Sequence, residues 1–102
     1  MDRSVEEISF ILKMRSMERA FCRAVAQLNL VKNKVLDVMA RYNRAVKHDQ
    51  KSLRYNYRLQ LITIEGVQSM YWNYCTALAD RLDEMEEELL VKFEIEWHSV
   101  AE

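Results

Sequence analysis

The chain has 102 residues, half of them apolar and 30% charged, with a formal net charge of −1, one glycine and no proline. That length holds one compact domain at most, and an apolar half of the chain supplies a core and excludes generic disorder. So few glycines and prolines exclude turn-rich all-β folds and glycine-cradled nucleotide sites, leaving an all-helical chain with few bends.

Ser4 and Glu7 open the pattern with the S-x-x-E spacing of a capping box, in which each side chain answers the other's free backbone donor. Behind them, alternating steps of four and three run through Phe10, Met14, Met17, Phe21, Ala24, Leu28, Val31, Val35, Val38, Tyr42 and Ala45. Every one of these positions is apolar. A sustained 3.5-residue period is the mark of a coiled-coil strand, and it predicts a first helix over about residues 5–46.

The frame fails at Lys47-His48-Asp49-Gln50-Lys51-Ser52, a stretch without an apolar residue. A turn is expected over about residues 47–52, with Asp49 or Ser52 capping the next helix. No glycine or proline forces that turn, so a single long helix is the competing form.

The second run reads Tyr57, Leu61, Ile64, Gln68, Tyr71, Cys75, Leu78, Leu82, Met85 and Leu89, then drifts to steps of four through Phe93 and Trp97. It predicts a second helix over about residues 53–98. Gly66 lies inside it at a cost of about 1 kcal/mol relative to alanine, marking a kink, a close approach or a third-helix boundary. The expected fold is therefore all-α, a single domain spanning 1–102. It is a long antiparallel coiled-coil-like hairpin that dimerises into a four-helix bundle. A three-helix bundle broken near Gly66 is the alternative.

Charge supports the hairpin. Residues 1–58 carry thirteen Lys and Arg against six acids, while residues 59–102 carry two against ten. Folding back near residue 49 sets residue i opposite about 99 − i, so Lys13, Arg15 and Arg19 are expected to face Glu86, Glu84 and Asp80.

More apolar surface is present than one seam hides. Val35, Met39, Tyr42, Val67, Met70, Tyr71, Trp72 and Tyr74 form a candidate interface for an oligomer or partner, because an uncovered apolar-aromatic band marks a contact surface. The second candidate is a basic hairpin tip made by Arg41, Arg44, Lys47, Lys51, Arg54 and Arg58. Such a tip suits an acidic ligand: an acidic protein, nucleic-acid phosphates or an anionic bilayer.

Catalytic signatures are missing. Glu94 and His98 share a helix face but lack the Glu-x-x-His repeat of di-iron bundles, and the acidic run from Asp80 to Glu88 reads as a solvated face. No catalytic, cofactor or metal site is expected, and the chain is read as a non-enzyme. Cys22 and Cys75 are too few for a disulfide framework, and neither a signal peptide nor a spanning segment is visible. An intracellular, cytoplasmic or nuclear setting is expected. The leading function is a coiled-coil adaptor or assembly scaffold, a homodimer or a subunit of an obligate hetero-complex that binds other proteins through the band and the tip. The alternative is a nucleic-acid or anionic-membrane binder acting through the tip.

Overall fold

The computed structural model describes residues 4–94. They form two helices, α1 (Val5–Lys47) and α2 (Lys51–Phe93), joined by a three-residue turn into an antiparallel helical hairpin. α1 begins where expected: the Ser4 hydroxyl oxygen accepts the Glu7 backbone N–H at 3.1 Å, satisfying one of the orphan donors of a helix start.

The turn closes without glycine. Gln50 N–H reaches back to Ala45 C=O at 2.9 Å and Asp49 N–H to Val46 C=O at 3.2 Å, the paired bonds of a Schellman closure. Asp49 takes the left-handed conformation this requires, with φ 52°. Aspartate is among the few residues besides glycine that tolerate that region. The cap of the second helix is therefore neither Asp49 nor Ser52. Asp49 ends α1, Ser52 sits inside the first turn of α2, and Gln50 is the half-in residue whose carbonyl accepts from Arg54 N–H at 2.9 Å. The turn is correspondingly shorter than the apolar gap in the sequence.

α2 passes through Gly66 without interruption, so the three-helix alternative is excluded among the described residues. Nor does Gly66 mark a close approach, because a Cβ placed there would meet nothing within 4 Å. Both helices exceed 40 residues because each presents a continuous apolar stripe, which supplies the stability that propensity alone does not.

The chain forms two compact units: Met1–Val25 with Tyr74–Glu102, here called the terminal unit, and Ala26–Asn73, the turn unit. In a two-helix hairpin each residue packs only against its near neighbours, so no single centre gathers the whole chain.

The terminal unit holds the best-packed core. Met14, Met85 and Leu89 are buried together, with Phe10, Ile11, Met17 and Phe93 packed around them. The Phe10 and Phe93 rings lie 5.8 Å apart at 59°, a tilted pair. Such pairs add about 0.5–1.5 kcal/mol to their area burial. Ala24, Cys75 and Leu82 extend the seam. Glu6 and Lys92 pair across the two helices.

In the turn unit Val35, Val38 and Ala45 are buried on α1, while α2 buries no residue completely between Lys51 and Asn73. Leu28, Val31, Tyr42, Tyr57, Leu61, Ile64, Gln68 and Tyr71 complete the seam as half-buried side chains. Met14 against Met85 and Tyr42 against Arg58 lie within one residue of the expected pairing of i with 99 − i. The register follows the sequence.

Candidate interaction surfaces

The eight residues of the expected apolar band do not share one face. Val35 is buried in the seam, and Tyr42 and Tyr71 are half-buried there, so these three serve the hairpin itself. The exposed members fall on two sides of it. Met39 lies four residues after Val35, and Trp72 beside Tyr71, on one side of the turn unit. Val67 and Met70 lie on the other. Tyr74, also exposed, belongs to the terminal unit.

Each side of the turn unit has its own groove. On the Trp72 side, Leu28, Asn29, Lys32, Gln68, Ser69, Trp72 and Asn73 line a space of about 510 Å³. Its floor is seam and its rim is amide and hydroxyl groups, with an indole that is 63% exposed. On the Val67 side, Leu30, Val31, Lys34, Thr63, Ile64 and Val67 line about 260 Å³ of nearly all apolar surface. Met70, the most open of the band residues at 66%, follows Val67 by three and extends that side.

Further exposed apolar residues belong with these two sides; of these, sequence reasoning missed Val46, Leu53, Tyr55 and Ile62. Leu36, Val46, Tyr55 and Ile62 join Met39 and Trp72, whereas Leu30 and Leu53 join Val67 and Met70. The signal was present. Leu36, Met39 and Val46, like Tyr55, Ile62 and Trp72, recur at helical spacing beside the main stripe.

All six tip cations belong to the turn unit. Arg41 pairs with Asp37 at 3.3 Å. Arg58 donates to the Tyr42 hydroxyl at 2.9 Å, its guanidinium carbon 5.8 Å from that ring's centre. Lys51, Arg54 and Arg58, with Tyr55, line a shallow depression of about 200 Å³ over the first two turns of α2. Arg44 and Lys47 stand in the last turn of α1, where the helix dipole favours cations. Lys51 opens α2, where it does not, and that first turn holds no acid.

The expected pairing of Arg15 with Glu84 needs correction. Arg15 lies 3.8 Å from Glu18 and Glu84 lies 3.1 Å from Arg81, so each has a partner on its own helix. Arg81 also reaches Glu88 at 3.4 Å. The register puts residues 15 and 84 level, but helical phase points them to different sides of the hairpin. In the terminal unit residues 1–25 carry five Lys and Arg against four acids, so a nearly balanced α1 segment accompanies an acidic α2 segment there. In the turn unit both helices are basic.

Among the described residues no three of His, Cys, Asp and Glu come together as metal ligands. Glu94 ends α2 with a φ of 56°, and His98 lies outside the described residues. Cys22 is an exposed free thiol and Cys75 a buried one. No helix among the described residues is long and apolar enough to cross a membrane. No protein-family model, curated protein or solved structure matches the chain.

Proposed function

We propose that this hairpin is a non-enzymatic protein-binding module, an adaptor or assembly subunit working in the cytoplasm or nucleus. The observation that carries this reading is the composition of the turn unit, where Leu30, Val67, Met70 and Trp72 stand exposed among eight Lys and Arg and only three acids. A helix pair that buries its own stripe and still displays large apolar and aromatic side chains has surface to give to a partner. Exposed cysteine on α1 suits a reducing compartment.

The Val67 side matches an acidic amphipathic helix. Apolar side chains spaced at i, i+3 and i+7 would lie over Ile64, Val67 and Val31, and carboxylates on the flanks would meet Lys34, Arg41 and Arg44. Fluorescence anisotropy of a labelled acidic amphipathic peptide, titrated with the protein, tests this directly. Saturable binding lost in Val67→Glu with helicity retained is the expected outcome. No binding at high micromolar protein sinks the reading.

The depression lined by Lys51, Arg54, Tyr55 and Arg58 favours a second reading, in which the tip binds phosphates of nucleic acid or an anionic bilayer. The two differ in salt response. Six phosphate contacts would lose roughly a thousandfold in affinity between 50 and 200 mM salt, whereas apolar docking loses far less.

A further inference from the structure

On the Trp72 side of the turn unit both helices leave large apolar side chains exposed: Leu36, Met39 and Val46 from α1, Tyr55, Ile62 and Trp72 from α2. Two helices with an uncovered stripe of this kind are half of a four-helix bundle. At 1.5 Å per residue the turn unit is about 35 Å long, and two helices side by side are about 20 Å wide. Such a face measures about 700 Å², close to the roughly 800 Å² that each partner gives to a stable interface.

Charge indicates what covers that face. Lys51, Arg58, Glu65 and Trp72 follow one another at seven-residue steps and so form a single row along α2. The order cation, cation, carboxylate, indole is complementary to its own reverse. Set antiparallel to a second copy, with a twofold axis midway between Arg58 and Glu65, the row brings each Arg58 to the other copy's carboxylate and each Lys51 to the other copy's indole. The first encounter is an ion pair and the second a cation–π contact. Arg58 donates to Tyr42 within its own chain, and its guanidinium has further N–H groups for a carboxylate. Glu65 is exposed and makes no ion pair among the described residues.

α1 fits the same axis. The hairpin register sets residue i opposite about 99 − i, so an axis between Arg58 and Glu65 crosses α1 midway between Leu36 and Met39. Those two exposed apolar side chains then meet across it, and Lys32 comes level with Asn43. The positive balance of the unit does not oppose this pairing. Lys34 lines the Val67 groove, and Arg41 and Arg44 continue the rows of Lys34 and Leu30, so all three turn to the opposite side. The two basic tips lie at opposite ends of the contact.

We infer that the Trp72 side of the turn unit is covered by the Trp72 side of a second copy, with the two turn units antiparallel about a twofold axis that passes between Leu36 and Met39 and between Arg58 and Glu65. The charged row sets the register, and the apolar stripe supplies the affinity. Every contact is made twice, so the pair closes rather than propagating into a filament. This rests on the reading of the exposed apolar residues as interaction surface, and names a second copy as the occupant of one side. The Val67 side stays open to a different partner.

The test is light scattering over a dilution series, with circular dichroism as the check on folding. The unsubstituted chain should give twice the single-chain mass. Arg58→Glu and Glu65→Arg each set like charges against each other twice, and each should raise the dimer dissociation constant about tenfold or more. An equal mixture of the two variants restores both pairs only in a mixed dimer, so the mixture should regain the affinity that each variant lost alone. Met39→Glu, at the axis, should dissociate the dimer without touching the contact between Arg58 and Tyr42, and it carries the test if Arg58→Glu loses helicity. Val67→Glu, on the opposite side, should leave the mass unchanged. A single-chain mass for the unsubstituted protein throughout the series overturns the inference, as does a dimer that survives Met39→Glu, a mixture that associates no better than its components, or a dimer split by Val67→Glu. The peptide titration on the Val67 side decides the module reading independently.

Discussion

Arg58 of α2 and Tyr42 of α1 are joined twice: the guanidinium donates to the phenolic oxygen at 2.9 Å and its carbon lies 5.8 Å from the ring centre. This contact ties the two helices just above the turn, where α2 has no fully buried residue to do so. Tyr42→Phe removes the hydrogen bond and leaves the ring. Because the arginine is exposed, the loss should be modest, about 0.5–1 kcal/mol of unfolding free energy in urea. Tyr42→Ala should cost clearly more, since it also empties a half-buried seam position. Equal stabilities for the two variants would show that the ring contributes nothing.

Glu18 is the one described polar side chain that is buried, at 0% exposure, and Arg15 lies 3.8 Å from it. A buried carboxylate is costly to desolvate, and replacing it by an apolar residue of similar volume is often neutral or stabilising. Glu18→Met should therefore hold or raise the thermal midpoint. Arg15→Ala should lower stability by about 1 kcal/mol, a value kept small because the arginine is partly exposed. If Glu18→Met unfolds the hairpin, the carboxylate is a structural requirement instead.

Leu89 and Val91 are two residues apart on α2 and differ completely in burial, 0% against 76%. Leu89→Ala opens a cavity beside Met14 and Met85 and should cost about 2–5 kcal/mol. Val91→Ala should change stability by less than about 0.5 kcal/mol. Chemical denaturation followed by circular dichroism reads both, and similar costs would mean that the rotational phase of α2 is wrong.

Gly66 lies in open helical surface, so an added methyl group meets no obstacle. Gly66→Ala should stabilise the hairpin by about 1 kcal/mol through backbone entropy alone. A destabilised variant would show that Gly66 holds a contact or a bend that this structure lacks.

The seam was legible because its period is strict. All eleven positions from Phe10 to Ala45 are buried or half-buried, as are all those from Tyr57 to Leu89. The flanks were not legible. Ile11, Glu18 and Val25 recur every seven residues beside the seam and are covered in the terminal unit, whereas Lys32, Met39 and Val46 continue the same row in the turn unit and are exposed. A small rotation of each helix decides whether that row is hidden, and the pattern of residue types does not encode such a rotation. Glu18 lies on that row, where its residue type carries no apolar signal for its burial, and the exposed members of the band from Val35 to Tyr74 lie on different sides. The turn was half legible. Its place came from the missing apolar residues, but the roles of Asp49 and Gln50 depend on backbone hydrogen bonds that a gap in hydrophobicity does not specify.

Lys51 links stability and binding with opposite signs. It stands in the first turn of α2 with no acid beside it in that turn, where the positive end of the helix dipole disfavours a cation. It also lines the depression shared with Arg54, Tyr55 and Arg58. Lys51→Glu should therefore stabilise the hairpin by about 0.3–1 kcal/mol while weakening any acidic ligand of the tip. Lys51→Gln separates the two effects, since it removes the cation without adding an acid. It should gain less stability and lose less binding. Thermal melts alongside titration with acidic peptide, short duplex DNA and anionic vesicles would read both effects. A cation kept at a position where it costs stability is what a binding role predicts. If Lys51→Glu stabilises and no acidic ligand is affected, the tip is solvated surface, and the exposed apolar sides of the turn unit carry the interaction alone.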